Sequence, residues 1–445
     1  MSRHLFCRLF RTVGRSTLAA GAVLIAGVTV AACGTAAPSQ GTGAGGGAMT
    51  AWGLTGGSQS TFQYSQEAWD GAHPGEAISF LYYSNDAYKQ KIRVAIGASG
   101  APTVFENWGG GQLNDYVTSG KVAALAPAVA SAARQRYFPS VLNTATFNGK
   151  LLGIPVNGTQ PVLLYYNKAL FAKVGAQPPK TWNDLLALVA KFKSAGITPL
   201  ALGGGDQWPE LMYLEYLADR IGGPSVISSI EAGKPDGWSD PAIIRAATMI
   251  QQLVKAGAFE TGYDFVSYDA GESSALLYTG RAAMQVMGSW DFASIQGADP
   301  AFITGGKLGW TTFPTVPGGT GNPADIVGNP ANFFSVTTAA SATAQKAAQN
   351  YLSNEVTSAA YVQNLLQNGN VPPVKGLSRQ LAAQPDADWL LFQYNLVKNA
   401  PSYQLSWDQA LSDSAASALL TNLGQLFTDQ MTPQQFAAAM NQAGH

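Results

Sequence analysis

Cysteine and histidine are scarce in this chain of 445 residues. Its cysteines are Cys7 and Cys33, and its histidines are His4, His73 and His445. So few cysteines and histidines, so far apart in the sequence, do not form a cluster with the spacing of a zinc or other transition-metal site. We therefore expect no metal and no other cofactor. Because both cysteines lie in the first 33 residues, the folded part must be stabilised by its hydrophobic cores without a disulfide.

Charged residues are also few, at 12% of the chain, and the formal net charge at pH 7 is −1. A nucleic-acid-binding protein needs a basic face, and this composition supplies none, which excludes nucleic acid as a partner. Hydrophobic residues make up 46% of the chain, which argues against disorder and predicts a well-packed globule. The chain is longer than one hydrophobic core usually serves, so we expect two domains or lobes.

The N-terminal segment has the pattern of a secretory signal. A basic segment precedes an apolar run at 18–32, and its charges are Arg3, Arg8, Arg11 and Arg15. A basic segment followed by a short apolar run is typical of a signal peptide, whereas a membrane-spanning helix needs about 20 apolar residues. We therefore expect residues 1–32 to be a signal peptide.

Cys33 ends the apolar run, and Val-Ala-Ala-Cys at 30–33 resembles a bacterial lipobox, in which the cysteine is acylated and becomes the new N-terminus. Residues 34–48 are almost all Gly, Ala, Ser, Thr, Pro and Gln, and such a stretch behaves as a flexible tether. We expect a lipid on Cys33 and a tether over 33–48 to hold the mature protein at the outer face of the cell membrane. The alternative is an ordinary secreted protein with a chance cysteine near its cleavage site.

Segments typical of strands and helices alternate after the tether, which predicts an α/β fold. Residues 77–83 form a β-rich run, and Ser84 is placed to cap a helix whose apolar face includes Tyr88 and Ile92. Further strands are predicted at 101–106, 151–156, 161–166 and 331–337. Helices with N-terminal caps are predicted to begin after Thr181 and Thr432, where Asp184 and Gln435 complete capping boxes.

Several short motifs occur in a characteristic order. They are FNGK at 147–150, GIP at 153–155, YNKALF at 166–171, PPKTWNDL at 178–185, GRAAM at 280–284, GSW at 288–290, FP at 313–314, PP at 372–373 and MTP at 431–433. Together these resemble the carbohydrate-binding, extracellular solute-binding proteins of bacterial ABC importers, over about residues 78–442. The segment WGGG at 108–111 is similar to the oligosaccharide branch, whose members take raffinose-like and xylobiose-like sugars. One departure is Pro-Thr-Val at 102–104, where many members have Pro-Asp-Val, and it lies outside the site motifs.

The resemblance implies an α/β, two-lobe periplasmic-binding-protein-like fold of type II, with discontinuous lobes joined by a hinge. By analogy, the first lobe takes 49–157 and 329–371, and the second takes 158–328 and 372–445. It further implies a monomer that captures a di- or oligosaccharide in the inter-lobe cleft and delivers it to the permease subunits of an ABC importer. The lobes close on the ligand, and no bond is broken.

A sugar ring offers hydroxyls at its rim and C–H groups on its faces, so a site needs an aromatic plane beside polar side chains, of which carboxylates are good acceptors. The candidates are Tyr83, Asn85, Asp86, Trp108, Trp208, Trp290, Asp291, Asn329, Asn332, Phe333, Trp407 and Asp408. For each of these the alternative is structural: a packing tryptophan, a helix cap or a hinge contact. Trp182 and Trp310 are expected in the core, and Trp238 in loop packing.

Two arguments place particular candidates. Tyr83 and its neighbours end the first predicted strand, and ligands of open α/β sheets collect at the carboxyl ends of strands. The glycines after Trp108 would allow a backbone to approach a ligand closely.

The rival class is a surface-anchored glycoside hydrolase, which needs two carboxylates about 5–10 Å apart, a spacing that the sequence does not reveal. A serine hydrolase is disfavoured, because His73 is the only histidine away from the chain ends and no G-x-S-x-G motif occurs. An adhesion or scaffold lipoprotein is the third alternative.

Overall fold

The computed structural model describes residues 48–98 and 100–444 of the chain. The predicted signal peptide at 1–32, the lipidation site Cys33 and the tether up to residue 47 lie outside the described residues, and these three remain predictions. Within the part that is described, no helix is long and apolar enough to cross a membrane.

Strands and helices alternate along the described chain. The strands are β1 (Met49–Leu54), β2 (Ile78–Tyr83), β3 (Val104–Asn107), β4 (Val122–Ala123), β5 (Thr146–Phe147), β6 (Lys150–Leu151), β7 (Ile154–Pro155), β8 (Gln160–Asn167), β9 (Thr198–Ala201), β10 (Ala282–Gly288), β11 (Leu308–Thr311), β12 (Ile326–Asn329), β13 (Phe333–Thr337) and β14 (Tyr403–Leu405). The helices are α1 (Gln59–Ala72), α2 (Asn85–Ala95), α3 (Gly110–Thr118), α4 (Pro127–Arg136), α5 (Pro139–Asn143), α6 (Lys168–Lys173), α7 (Trp182–Ser194), α8 (Trp208–Gly222), α9 (Ser225–Glu231), α10 (Pro241–Lys255), α11 (Glu272–Tyr278), α12 (Asp291–Ala298), α13 (Pro300–Thr304), α14 (Ala342–Asn354), α15 (Ala359–Gln367), α16 (Ser378–Leu381), α17 (Ala387–Asn399), α18 (Trp407–Ala410), α19 (Asp413–Phe427) and α20 (Pro433–Ala443).

The strands collect into two mixed sheets, each the centre of one lobe. The first sheet has the order β2-β1-β3-β13-β4, with β7 paired to β13, and the second has the order β14-β12-β8-β10-β9, with β11 paired to β8. In the first sheet β1 runs parallel to β2 and β3, whereas β13 is antiparallel to β3. This arrangement confirms the predicted α/β fold with two lobes. The residue boundaries given above for the lobes remain a prediction.

Two short connections carry the chain between the sheets, and they lie side by side. The first, 156–159, joins β7 to β8, and the second, 330–332, joins β12 to β13. The backbone N–H of Asn332 donates to Oδ1 of Asn157 at 2.7 Å, and the N–H of Val156 donates to the Asn332 carbonyl at 2.9 Å. Short paired connections of this kind form a hinge, which keeps the lobes in register and allows them to rotate.

Three predicted helix starts, at Ser84, Thr181 and Thr432, differ in how they are capped. Thr181 accepts the N–H of Asp184 while the Asp184 carboxylate accepts the N–H of Thr181, and Thr432 and Gln435 repeat the arrangement, so both capping boxes are confirmed. Ser84 does precede α2, but its side chain makes no capping hydrogen bond, so that predicted cap is wrong.

The strand predicted at 151–156 is also wrong in its continuity, because it divides into β6 and β7 around Gly153. A Cβ at Gly153 would lie 2.9 Å from Cβ of Phe333, so the close approach of β13 requires glycine at this position. Trp182 is 3% exposed and lies in the core, as predicted. Trp310 is half-buried beside Trp389, at a ring separation of 5.1 Å.

Candidate ligand-binding cleft

A cavity of about 950 Å³ lies between the lobes, beside the hinge. The first lobe lines it with residues 54–60 and part of α2, and the second lobe lines it with 268–271 and part of α12. Hinge residues and the start of α18 complete the lining. Ligand sites of proteins commonly have volumes of about 300–1,000 Å³ and lie between domains, so this cleft is the candidate site.

More than half of the predicted site residues line this cleft. They are Asn85, Trp108, Trp208, Trp290, Asn329, Asn332 and Asp408. These side chains come from both lobes and from the hinge, and the fold brings them together over more than 300 positions of sequence. The structure thus places these seven around one cavity, and a ligand contact at each remains a prediction.

Two tryptophans and a tyrosine form an aromatic wall on the second lobe. The rings of Trp208 and Trp290 are 6.0 Å apart, and Tyr268 meets Trp208 edge-on at 5.1 Å. Both tryptophans are half-buried and line the cleft. A Cβ at Gly288 would lie 1.9 Å from the Trp290 ring, so glycine is required beneath that ring. This gives the glycine of the GSW motif a structural reason, because the Trp290 ring packs directly on its backbone.

The glycines before Trp208 have a packing role. A Cβ at Gly203 would lie 2.9 Å from Cβ of Tyr268, and one at Gly204 would lie 2.8 Å from the carbonyl oxygen of Tyr263. The glycine run therefore lets the segment around Tyr268 pack directly on the start of α8. That contact sets the relative positions of the wall's rings.

Trp108 lies beneath a charged pair that joins α2 to α18. The Lys89 Nζ lies 5.2 Å from the centre of the Trp108 ring and 2.7 Å from Oδ2 of Asp408. Trp108 is only 4% exposed and packs edge-on against Tyr88. Its ring therefore supports Lys89 and adds little surface to the lining of the cleft. The prediction that this ring is presented at a lobe edge is wrong, because the ring is buried.

The glycines after Trp108 serve the docking of α18 on α3. A Cβ at Gly110 would lie 2.6 Å from the carbonyl oxygen of Gln409, and one at Gly111 would lie 2.5 Å from that of Ala410. The prediction that these glycines let a backbone approach a ligand closely is wrong. The close approach that they permit is made by the backbone of α18.

Five predicted residues do not line the cleft: Tyr83, Asp86, Asp291, Phe333 and Trp407. Phe333 and Trp407 are fully buried in the core, Phe333 within β13 and Trp407 edge-on against Trp238. A ligand in the cleft does not reach either ring. Trp238 is itself 2% exposed and packs on α18 and α20, which agrees with a packing role.

Asp291 is also completely buried, and its Oδ1 accepts from the Ser274 hydroxyl at 2.7 Å. Burial raises the pKa of this carboxyl to about 7. Because Ser274 lines the cleft, Asp291 supports the lining from behind and does not face the cavity.

Tyr83 lies beside Trp52 at a ring separation of 5.2 Å, and the Lys91 Nζ lies 5.2 Å from the centre of the Tyr83 ring.

Asp86 lies at the mouth of the cleft, where the two lobes approach each other. Its backbone N–H donates to Oδ2 of Asp269 on the opposite lobe at 3.4 Å. Asp206 accepts the N–H of Asp269 at 2.8 Å and fixes that loop. Burial, together with the charges of Asp206 and Asp86, raises the pKa of Asp269 to about 6.

Glu106 lines the cleft floor and was missed from the sequence. Its Oε2 accepts the Leu54 N–H at 2.8 Å, and its Oε1 accepts from Nδ2 of Asn332 at 2.7 Å. Burial raises the pKa of this carboxyl to about 7. Its position near the end of β3 was the available signal, since the argument about carboxyl ends of strands that selected Tyr83 applies equally here.

Further lining residues that the sequence reasoning missed include Lys89, Gln160, Tyr268 and Gln409. Their local sequences carry no motif, so only the fold shows that they share one cavity. Among residues 48–98 and 100–444, no group of three His, Cys, Asp or Glu side chains could hold a metal ion.

Two α/β lobes joined by a hinge around a polar and aromatic cleft define a two-lobe solute-binding protein. The family model described as bacterial extracellular solute-binding protein matches residues 53–358. This chain belongs to the bacterial extracellular solute-binding protein family, whose members bind solutes and are not enzymes. The hydrolase alternative is therefore set aside.

Three known proteins illustrate the similarity. A structure solved in a study of xylan utilization by the thermophilic bacterium Caldanaerobius polysaccharolyticus has a TM-score of 0.79 and is 32% identical, covering 89% of this chain and 99% of that one. A probable sugar-binding periplasmic protein of Mesorhizobium japonicum is 30% identical over 208 residues, which is 46% of this chain and 48% of its own. An uncharacterized ABC transporter extracellular-binding protein of Pyrococcus horikoshii is 25% identical over 244 residues, 54% of each. The chain thus spans about half the length of the curated relatives that it matches.

Proposed function

We propose that this protein captures a di- or oligosaccharide in the cleft between its lobes and delivers it to the permease subunits of an ABC importer. The observation that carries the proposal is the cavity of about 950 Å³ with the Trp208 and Trp290 rings on one side and Glu106, Asn332 and Asp408 among its polar groups. Aromatic faces suit the C–H faces of sugar rings, and carboxylates and amides suit the hydroxyls. The likeness to a structure from a study of xylan utilization and to a probable sugar-binding protein supports the same ligand class.

Binding would be coupled to closure of the lobes. Because the lining comes from both lobes, a ligand makes its full set of contacts only when they are closed, and this differential affinity shifts the equilibrium. A dissociation constant near micromolar, about 8 kcal/mol of binding free energy, suits capture and release. A monomer is sufficient, since one chain supplies both sides of the cleft.

The test is a thermal-shift screen of xylo-, malto-, chito- and galacto-oligosaccharides, followed by calorimetry and chromatography of the sugar afterwards. We expect one class to raise the melting temperature and to be recovered intact, since a ligand that binds only the folded state stabilises it. Cleaved sugar, or no response to any carbohydrate, would contradict the proposal.

We further propose that residues 1–32 are removed and that a lipid on Cys33 anchors the mature protein at the outer face of the cell membrane. The order of basic segment, apolar run, cysteine and tether supports this. The Cys33→Ser variant should lose its partition into the detergent phase of a Triton X-114 extract, while Cys7→Ser, which lies within the predicted signal, should behave as the wild type. An unchanged Cys33→Ser partition would contradict the anchor.

A further inference from the structure

The lining of the cleft carries more negative than positive groups. Among the described lining residues Lys89 is the only cationic side chain, whereas Glu106, Asp269 and Asp408 are carboxylates. Lys89 is already paired with Asp408 at 2.7 Å, and its side chain is 15% exposed. The described lining therefore has no unpaired cation for a ligand.

Three amide side chains of the lining use their nitrogen within the protein. The pairs are Asn332 Nδ2 to Glu106 Oε1 (2.7 Å), Gln409 Nε2 to Asp408 Oδ2 (2.8 Å) and Asn329 Nδ2 to Gln160 Oε1 (3.4 Å). The oxygens of Asn332, Gln409 and Asn329 are buried and have no hydrogen-bond partner in the described structure. Since an amide oxygen only accepts, each of these lining residues carries an acceptor that no described protein donor satisfies.

Glu106, at the floor of the cleft, also has unused capacity to accept hydrogen bonds. It is 2% exposed, and each of its oxygens accepts one protein hydrogen bond, which leaves each with capacity for a second. No described cation forms an ion pair with it. The titratable groups that face it are Tyr82 on β2, Tyr88 on α2 and Tyr361 on α15, all of which stay neutral at physiological pH.

We propose that Glu106 and Asn332 form a subsite that accepts ligand hydroxyl groups, and that the cleft selects uncharged glycans over glycans carrying carboxylate or sulfate groups. The inference rests on the proposed function, because it takes a glycan as the ligand. A hydroxyl donates to these acceptors and satisfies them. An anionic group would instead place another negative charge beside Glu106, Asp269 and Asp408 without an unpaired cation to offset it.

The first experiment compares two sets of probes on the full chain by thermal shift and calorimetry at pH 7.5. One set contains neutral xylo-, malto-, chito- and galacto-oligosaccharides, and the other contains glucuronoxylo-oligosaccharides, oligogalacturonides and sulfated chondroitin disaccharides. We expect the acidic set to bind at least 100-fold more weakly than the best neutral sugar. An acidic glycan that binds as tightly overturns the selectivity and leaves the proposed function supported, whereas no binding in either set overturns both.

The second experiment isolates Glu106 with the best neutral ligand. Hydroxyl donors favour the ionised carboxyl, so binding should release protons below about pH 7.5, and the wild-type affinity should rise as the pH increases from 5.5 through about 7, the pKa of the free carboxyl, and level off near pH 8. Glu106→Gln should bind at least tenfold more weakly at pH 8 and should lose this pH dependence. Calorimetry in buffers of different ionisation enthalpy measures the released protons, a readout that a merely structural role would not change.

Glu260→Gln is the matched control, because burial also raises the pKa of Glu260 to about 7 and this residue does not line the cleft. It should leave affinity and proton release as in the wild type. A folded Glu106→Gln protein with wild-type affinity at pH 8 would overturn the subsite. If that variant does not fold, a wild-type affinity that is flat from pH 5.5 to 8 would overturn it equally.

Discussion

Lys89 and Asp408, separated by 319 positions of sequence, form an ion pair of 2.7 Å at the edge of the cleft. Lys89 belongs to α2 of the first lobe, and Asp408 belongs to the short helix α18. The start of α18 is held from the second lobe by Glu215, whose Oε1 accepts the Ser406 hydroxyl at 2.8 Å and the Trp407 N–H at 2.7 Å. The short helix therefore links both lobes and presents a carboxylate beside the cavity.

Breaking the Lys89–Asp408 pair should destabilise the fold. The side chains are 15% and 6% exposed, and removing one partner of a buried pair leaves an uncompensated charge, which costs about 3 kcal/mol. Asp408→Asn should lower the free energy of unfolding by about this amount in urea titrations. The matched control is Asp429→Asn, whose pair with Lys255 is 51% and 60% exposed and should contribute less than about 1 kcal/mol. Equal effects of the two variants would show that Lys89 and Asp408 do not act as a buried pair.

Trp290→Ala should weaken sugar binding by about 10- to 100-fold, because a central aromatic anchor of a binding site commonly contributes about 1.4–2.8 kcal/mol. The fold should persist, since the ring is half-buried and faces the cleft. Tyr64→Ala is the control, because Tyr64 is 38% exposed and does not line the cavity. Calorimetry with the best sugar from the screen measures both. Unchanged affinity in Trp290→Ala would remove this ring from the site.

Gly111→Ala should destabilise the protein by about 2 kcal/mol, because its methyl group would lie 2.5 Å from the Ala410 carbonyl oxygen and force α18 away from α3. Sugar affinity should fall as well, since α18 carries Asp408. Gly71→Ala in α1 is the control: its Cβ would meet nothing within 4 Å, and alanine in a helix should be neutral or stabilising by up to about 1 kcal/mol. Urea titration of both proteins decides the matter. A tolerated Gly111→Ala would mean that α18 docks loosely.

Stability should fall as pH rises through the range in which Asp291 ionises. Burial raises the pKa of Asp291 to about 7, well above its ordinary value of about 3.9. Between these values the folded state binds more protons than the unfolded state, so the free energy of unfolding decreases with pH. Asp291→Asn should make this dependence less steep between pH 4 and pH 7, as measured by urea titration at several pH values, while the other buried carboxyls with raised pKa values keep their share of it.

Asp184 provides the contrast of opposite sign. Hydrogen bonds from Thr181 and Lys180 lower the pKa of this exposed carboxyl, so its stabilising effect is lost as pH falls. Asp184→Asn should therefore reduce stability most at neutral pH, where the charged cap is present. For the buried carboxyl of Asp291, a pH profile of Asp291→Asn that matches the wild type would contradict its raised pKa.

Much of the fold was predictable because its signals are local. The capping boxes at Thr181 and Thr432 follow from short-range hydrogen bonding, and the strand at 77–83 follows from a run of residues that favour strands. The need for glycine at position 153 was not predictable, since it comes from the close approach of Phe333 on a strand 180 positions later.

The sequence by itself determined the α/β elements and the family and pointed to three of the rings that line the cleft, because propensities, caps and motif order act over short distances. Only the tertiary structure decided which polar groups meet there. Trp407 and Asp408 are adjacent in sequence, yet one is buried in the core and the other lines the cavity, because successive helical residues project in different directions. Glu106 joins the same cavity through contacts with Leu54 and Asn332, which the order of residues along the chain does not show.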